Sequence, residues 1–147
     1  DNAVVVKDLK EIKKLKPSGN IGLISQTTQS IAEFKKISRY LRKKSRQVAV
    51  YDTICRTTSR RQKETSDISG KVDVMLIVGG KNSANTKRLA EISQKNVRTY
   101  HIETAKELKK TWFEGADVVG ISAGASTPDW LINETVRKIR GMEDFYG

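Results

Sequence analysis

The sequence predicts an α/β fold built from alternating β-α units with mainly parallel sheets. Three observations carry this. Short apolar runs alternate with amphipathic helical patterns along the chain. Several of these runs end in polar, Ser/Thr-rich loops. A helix pattern then opens after the loop, so successive strands can be joined by crossover helices. The stretch Asp73–Glu91, DVMLIVGGKNSANTKRLAE, shows the unit in full. Val74–Val78 is apolar throughout, as a strand covered on both faces should be. Gly79-Gly80 ends it, and a helix pattern is set near Thr86.

Taken in order, Ala3–Val6 reads as a short strand, and its abrupt start is that of a chain cut from something longer. Asp8 is placed to cap a helix over Leu9–Lys16, with Leu9, Ile12 and Leu15 on one face. Pro17-Ser18-Gly19-Asn20 is a turn. Ile21–Ile24 is a strand, followed by the polar loop Ser25–Ser30 and a helix over Ile31–Lys44. Gln47–Tyr51 is the next strand, and a polar helix is expected over Arg60–Ile68. After the central unit, whose helix runs to Lys95, Arg98–Ile102 is a strand. Thr104 should cap a helix to Thr111, with Trp112 and Phe113 in the core and Gly115 closing the turn. Val118–Ser122 is the last strand. Thr127 then reads as an N-cap, Pro128 as the first helical residue and Gly141 as the helix end, with a tail over Met142–Gly147. A boundary near Asp52–Ile54 would leave two similar lobes, residues 1–52 and 53–147.

At 147 residues the chain can bury a real core. No apolar run approaches the roughly 20 residues of a membrane span, and the first residues lack the basic flank and apolar stretch of a signal peptide. One cysteine, Cys55, excludes an internal disulfide and points weakly to a reducing compartment. The net charge of +11 permits nucleic acid, anionic partners or anionic substrates. Yet the lysines of Lys7–Lys16 and Lys35–Lys44 fall between apolar positions, as on solvated helix faces, so charge alone assigns no partner.

Ligands of parallel α/β sheets sit outside the carboxyl ends of the strands. Four loops there share a character: Gln26-Thr27-Thr28, Cys55-x-x-Thr58, Asn82-Ser83-Ala84-Asn85 and Gly124-Ala125-Ser126. All offer small neutral donors, which with helix dipoles can hold a diphosphate. Helix capping explains any one of them; a shared anion site explains their similarity. Cys55 lies near Arg56, Arg60 and Arg61, whose charge would favour thiolate. Ligand, redox group, nucleophile and inert thiol all remain open for it. His101 reads as structural.

DTICRTTSRRQ, VGGKNSANTKRLAEIS and VGISAGASTPDWLI, in this order and with QTT upstream, resemble the 4-hydroxy-3-methylbut-2-enyl diphosphate reductases of the non-mevalonate isoprenoid pathway. The likeness spans the chain but corresponds to the C-terminal part of the family protein. It implies about one and a half lobes of a three-lobed fold: residues 1–52 as the second half of the middle lobe and 53–147 as the third. It also implies a central 4Fe-4S cluster with Cys55 as one ligand. Further implied are a diphosphate held by Ser83, Ala84, Asn85 and Ser126, Thr27 near substrate and proton relay, and Thr28 and Thr58 as supporting neighbours. The substrate would be a small allylic diphosphate and the electron donor a ferredoxin or flavodoxin; membrane partners are not implied, and nucleic acid is argued against. The setting implied is the cytoplasm, or the plastid stroma in a plastid-bearing source. Departures are Ala84, which can give only its backbone N–H, Arg60 where asparagine is expected, and Thr57 where alanine is expected. The family's remaining cysteines, substrate-binding histidines and proton-donating glutamate lie upstream of Asp1, so no catalytic acid or base is expected in this stretch. A lone cysteine cannot hold a cubane, so the chain by itself is expected to be inactive.

Overall fold

The structure, a computed structural model, describes residues 3–143. The elements are α1 (Leu9–Leu15), β1 (Ile21–Leu23), α2 (Ile31–Lys44), β2 (Val48–Val50), α3 (Arg56–Ser69), β3 (Val74–Val78), α4 (Ala84–Ser93), β4 (Arg98–Ile102), β5 (Val119–Ala123) and α5 (Asp129–Glu143). Strands alternate with helices and every pairing is parallel, as the sequence pattern predicts. The chain divides into two units, Asp1–Ser59 and Arg60–Gly147. The division falls inside α3.

In the first unit β1 pairs with β2, Ile21 opposite Val48 and Leu23 opposite Val50. Asp8 caps α1, its Oδ1 accepting from the N–H groups of Lys10 at 2.8 Å and Glu11 at 3.0 Å. Lys16 ends α1 in the left-handed region at φ 49°. Ser30 caps α2, whose Phe34, Ile37 and Leu41 join Ile12, Leu23 and Ile54 in a small core. Ala3–Val6 is not a strand: it has no ladder partner among the described residues, and Val5 is 94% exposed. Apolar content alone does not make a strand without a neighbour to bond.

The second unit is a three-stranded sheet in the order β4-β3-β5. All five residues of β3 are fully buried, because the central strand is flanked on both edges and covered on both faces. Alternation sends Leu76 and Val78 to one cluster, with Ile102, Leu131 and Ile139, and Met75 and Ile77 to the other, with Leu89 and Ala90. Each fully buried aliphatic side chain contributes roughly 1.5–3 kcal/mol, so this strand anchors the unit.

Several boundaries in the second unit differ from expectation. Residues 105–112 form two 3-10 turns, Ala105–Glu107 and Lys110–Trp112, instead of a helix. The Glu107 carboxylate turns back to accept from the N–H groups of Glu103 and Thr104, at 2.7 and 3.0 Å. Leu108 is extended as it enters the core, and Trp112 stacks on Tyr100 at 4.2 Å between centroids. Thr127 does not cap α5; its hydroxyl donates to the Val78 carbonyl at 3.0 Å, and helix begins at Asp129 after Pro128. Helix α5 runs past Gly141 to Glu143, so Met142 and Glu143 are not tail; residues 144–147 of the expected tail lie outside the described residues.

Candidate functional site

In the first unit the loops after β1 and β2 are laced together. The Ser25 N–H donates to Thr53 Oγ1 at 2.9 Å, and the Thr53 hydroxyl donates to the Ser25 carbonyl at 2.5 Å. The Cys55 N–H donates to the Thr27 carbonyl at 3.0 Å. The sequence-predicted residues Thr27 and Cys55 are therefore neighbours, both exposed, on two adjacent strand ends. Thr28, half-buried, is the next residue of that turn.

Cys55 sits at the head of α3, which starts at Arg56 and not at Arg60. Its carbonyl accepts from the Ser59 N–H at 2.9 Å and from the Ser59 hydroxyl at 3.0 Å. The thiol is exposed and its pKa lies below the ordinary thiol range. The main cause is the Thr58 backbone N–H, followed by the Thr58 hydroxyl and the Thr57 N–H. The expected direction holds, but the cause is the helix terminus and not the arginines. Arg60 instead pairs with Glu64 at 2.8 Å, and Arg61 donates to the Ala123 carbonyl at 2.9 Å.

The early start of α3 was hidden because its inner stripe is polar. Thr58, Gln62, Thr65 and Ser69 are all buried at helical spacing. Thr65 bonds Ser122 on β5 at 2.8 Å, and Asn96 donates to Ser69 Oγ at 2.8 Å. Hydrophobic periodicity cannot register a stripe whose burial is satisfied by hydroxyls and amides.

In the second unit β3 and β5 lie side by side and bring two predicted loops to one end of the sheet. Ser83 caps α4, its hydroxyl accepting from the Thr86 N–H at 3.3 Å. Ala84 and Asn85 form the first turn, two residues before the helix expected at Thr86. Ser126 is exposed in the turn closed by the Thr127 N–H donating to the Gly124 carbonyl at 3.0 Å. Gly79 has φ +143°, and a Cβ there would lie 2.6 Å from Thr127 Oγ1. A Cβ on Gly124 would run into Thr86 Oγ1. Only glycine fits at either strand end, and Thr86 and Thr127 are the residues that lock the loops together. The sequence treated both as helix starts; the glycines opposite them were the available signal.

Asn85 is 8% exposed and Thr86 1%, yet both polar atoms of the Asn85 amide and the Thr86 hydroxyl have no hydrogen-bond partner among the described residues. Leaving such groups unpaired costs about 1–3 kcal/mol each. The amide sits at the N-terminus of a ten-residue helix, where backbone N–H groups and the dipole favour an anion. In the loop before α4, Lys81 pairs with Glu107, and its N–H donates to Glu103 at 2.7 Å. That pairing raises the Lys81 pKa and lowers that of Glu107. His101, read as structural, donates its Nε2–H to the Gly79 carbonyl at 2.8 Å and steadies the same strand end.

Among the described residues no three His, Cys, Asp or Glu side chains group to hold a metal ion, and no helix is long and apolar enough to cross a membrane.

The chain is a parallel α/β protein with an exposed cysteine at one helix head and two polar loops at neighbouring strand ends. The family model described as LytB protein matches residues 1–140, and the chain belongs to that family. The relatives it matches are named 4-hydroxy-3-methylbut-2-enyl diphosphate reductase. That of Trichlorobacter lovleyi is 44% identical over 140 residues, 95% of this chain and 50% of the relative. That of Aquifex aeolicus is 46% identical over 138 residues, 93% of this chain and 48% of the relative. A solved (E)-4-hydroxy-3-methyl-but-2-enyl diphosphate reductase, described as the terminal enzyme of the non-mevalonate pathway, matches with TM-score 0.59 at 44% identity. It covers 92% of this chain and 49% of its own. The Plasmodium falciparum reductase structure matches with TM-score 0.78 at 26% identity, covering 92% and 43%. The chain thus spans about half the length of the relatives it matches. A basic nucleic-acid-binding module finds no support among them.

Proposed function

We propose that this chain is the cluster-cysteine and diphosphate-binding half of a 4-hydroxy-3-methylbut-2-enyl diphosphate reductase. Residues 1–52 would complete a middle lobe and residues 53–147 form a third. The reading rests on one observation above the rest: the buried Asn85 amide, without a partner among the described residues, at the N-terminus of α4. A diphosphate would satisfy it. The Ser83 hydroxyl, the Ala84 N–H, the Asn85 amide and the Ser126 hydroxyl would bind and orient that group, with the α4 dipole favouring its charge.

The Cys55 thiol fits a cluster ligand, since it is exposed and held toward thiolate by the Thr58 and Thr57 groups. It can supply one ligand of a 4Fe-4S cluster; the others would come from the half of the family length that this chain does not span. When bound, such a cluster supplies electrons singly to the substrate. The overall reaction breaks one allylic C–O bond, consumes two electrons and two protons, and releases water, leaving isopentenyl or dimethylallyl diphosphate. The electrons would come from a ferredoxin or flavodoxin in the cytoplasm, or in the stroma of a plastid. Thr27, bonded to Cys55 through its backbone, would stand near the substrate, and Thr28 and Thr58 would steady the two loops. The acid that protonates the product is not assigned to any residue of this chain.

Calorimetric titration with inorganic diphosphate tests the site directly. The wild-type chain should bind, and Asn85→Ala should weaken binding by about tenfold or more, the worth of one charge-assisted hydrogen bond. Stability without ligand should not fall, because the substitution removes two buried polar atoms that have no partner among the described residues. Equal binding by both proteins would sink the site.

A further inference from the structure

We propose that the exposed basic face of α1 and α2 is the docking surface for an acidic electron-carrier protein. Residues 7–46 hold twelve Lys and Arg against three Asp and Glu, so they carry most of the chain's +11. Six of the cations, Lys35, Lys36, Arg39, Arg42, Lys43 and Lys44, lie on α2, and all are exposed. Helix α1 packs against α2 and adds three exposed lysines.

This face is not neutralised from within. Asp8 is spent capping α1, and Glu11 accepts from the Lys7 N–H at 2.8 Å. Glu33 accepts from the Leu9 N–H at 3.0 Å and makes the one ion pair of this unit among the described residues, with Lys36 at 3.6 Å. Lys35, Arg39 and Lys43 stand four residues apart on one ladder, where like charges destabilise a helix by about 0.2–0.5 kcal/mol per pair. Arg42, Lys43 and Lys44 suit the dipole at the last turn of α2, but the excess of cations over carboxylates on this face is left for an anionic partner.

The identity of that partner rests on the proposed reductase reading. Removing a hydroxyl as water takes two electrons and two protons, and no residue of this chain supplies the electrons. Two reduced one-electron carriers must therefore each be oxidised by one electron per turnover. Helix α2 starts from the loop whose Thr27 carbonyl accepts from the Cys55 N–H, so the basic face and the cysteine belong to one unit. Its regular helical surface suits a folded acidic protein, while a nucleic acid would use the same charge without regard to Cys55.

The test uses the full-length reductase containing this chain, assayed anaerobically with dithionite or with a reduced acidic ferredoxin. The variant is Arg39→Glu/Lys43→Glu. The control is Lys109→Glu/Lys138→Glu, an equal charge change at exposed sites of the second unit. Reversal on α2 should lower kcat/KM for the ferredoxin about tenfold at low salt and flatten its salt dependence. The dithionite-driven rate should stay unchanged, as should both rates of the control. An unchanged ferredoxin-driven rate in the α2 variant overturns the docking surface, and so does loss of oligonucleotide binding alone. Wild-type protein that turns over with neither reductant overturns the reductase reading, and the docking claim with it.

Discussion

Cys55 and Asn85 show opposite uses of a helix N-terminus. At α3 the terminus lowers the pKa of a thiol the protein itself carries, because Thr58 and Thr57 direct their groups at the sulfur. At α4 it leaves an amide and a field for a charge that comes from elsewhere. The folded pKa of Cys55 lies below the unfolded one, so thiolate persists in the folded protein to lower pH, and its contribution is lost as pH falls through the folded value. The rate of Cys55 alkylation by iodoacetamide, followed against pH, should show a midpoint below that of the unfolded chain. Thr58→Val, which removes the hydroxyl but keeps the N–H, should raise the midpoint only in part. Coincident folded and unfolded midpoints would remove the thiolate argument.

At the scale of elements, the site depends on two loops kept in register by glycine against threonine. Gly79 and Gly124 end neighbouring strands, and Thr86 and Thr127 fill the space their missing side chains leave. Thr127 also ties the second loop to the first strand through the Val78 carbonyl. Gly124→Ala should therefore press on Thr86, cost about 1–3 kcal/mol by overpacking, and weaken diphosphate binding. Adding Thr86→Ala should restore much of both losses, since it removes the atom that the new methyl meets. Denaturant unfolding and diphosphate titration of the single and double variants read the coupling; strictly additive losses would show that the two residues do not interlock.

At the scale of the whole molecule, the two units have unequal cores. The sheet of the second unit has a central strand with every residue fully buried; the sheet of the first has two strands, with Gly22 and Ala49 exposed. Two strands alone are marginal in water, and β1 and β2 rely on α1 and α2 to cover them. Native-state hydrogen exchange should find the amides of Val74–Val78 the slowest in the chain and those of β1 and β2 faster by orders of magnitude. Equal protection would mean that both units open together.

The sequence by itself determined the order of elements, the parallel α/β class and the family. Those are encoded locally, in runs such as Val74–Val78, in caps such as Asp8 and Ser30, and in motifs read in order. The resemblance also named Ser83, Asn85 and Ser126 as diphosphate residues, and their placement in one unit is a matter of strand order. What only the tertiary structure decided is how hydroxyls, amides and marginal strands are spent. Whether Thr58 belongs to a loop or to the first turn of α3 depends on a buried polar stripe that no hydrophobic period reveals. Whether Thr127 caps a helix or bonds Val78 depends on a strand 49 residues away in sequence. Residues 105–112 gave up a helix because Leu108 and Trp112 were needed in the core, and Ala3–Val6 is no strand without a neighbour. Backbone propensity is worth tenths of a kcal/mol per residue, and a buried side chain or an unpaired polar group is worth more, so packing decides wherever the two disagree.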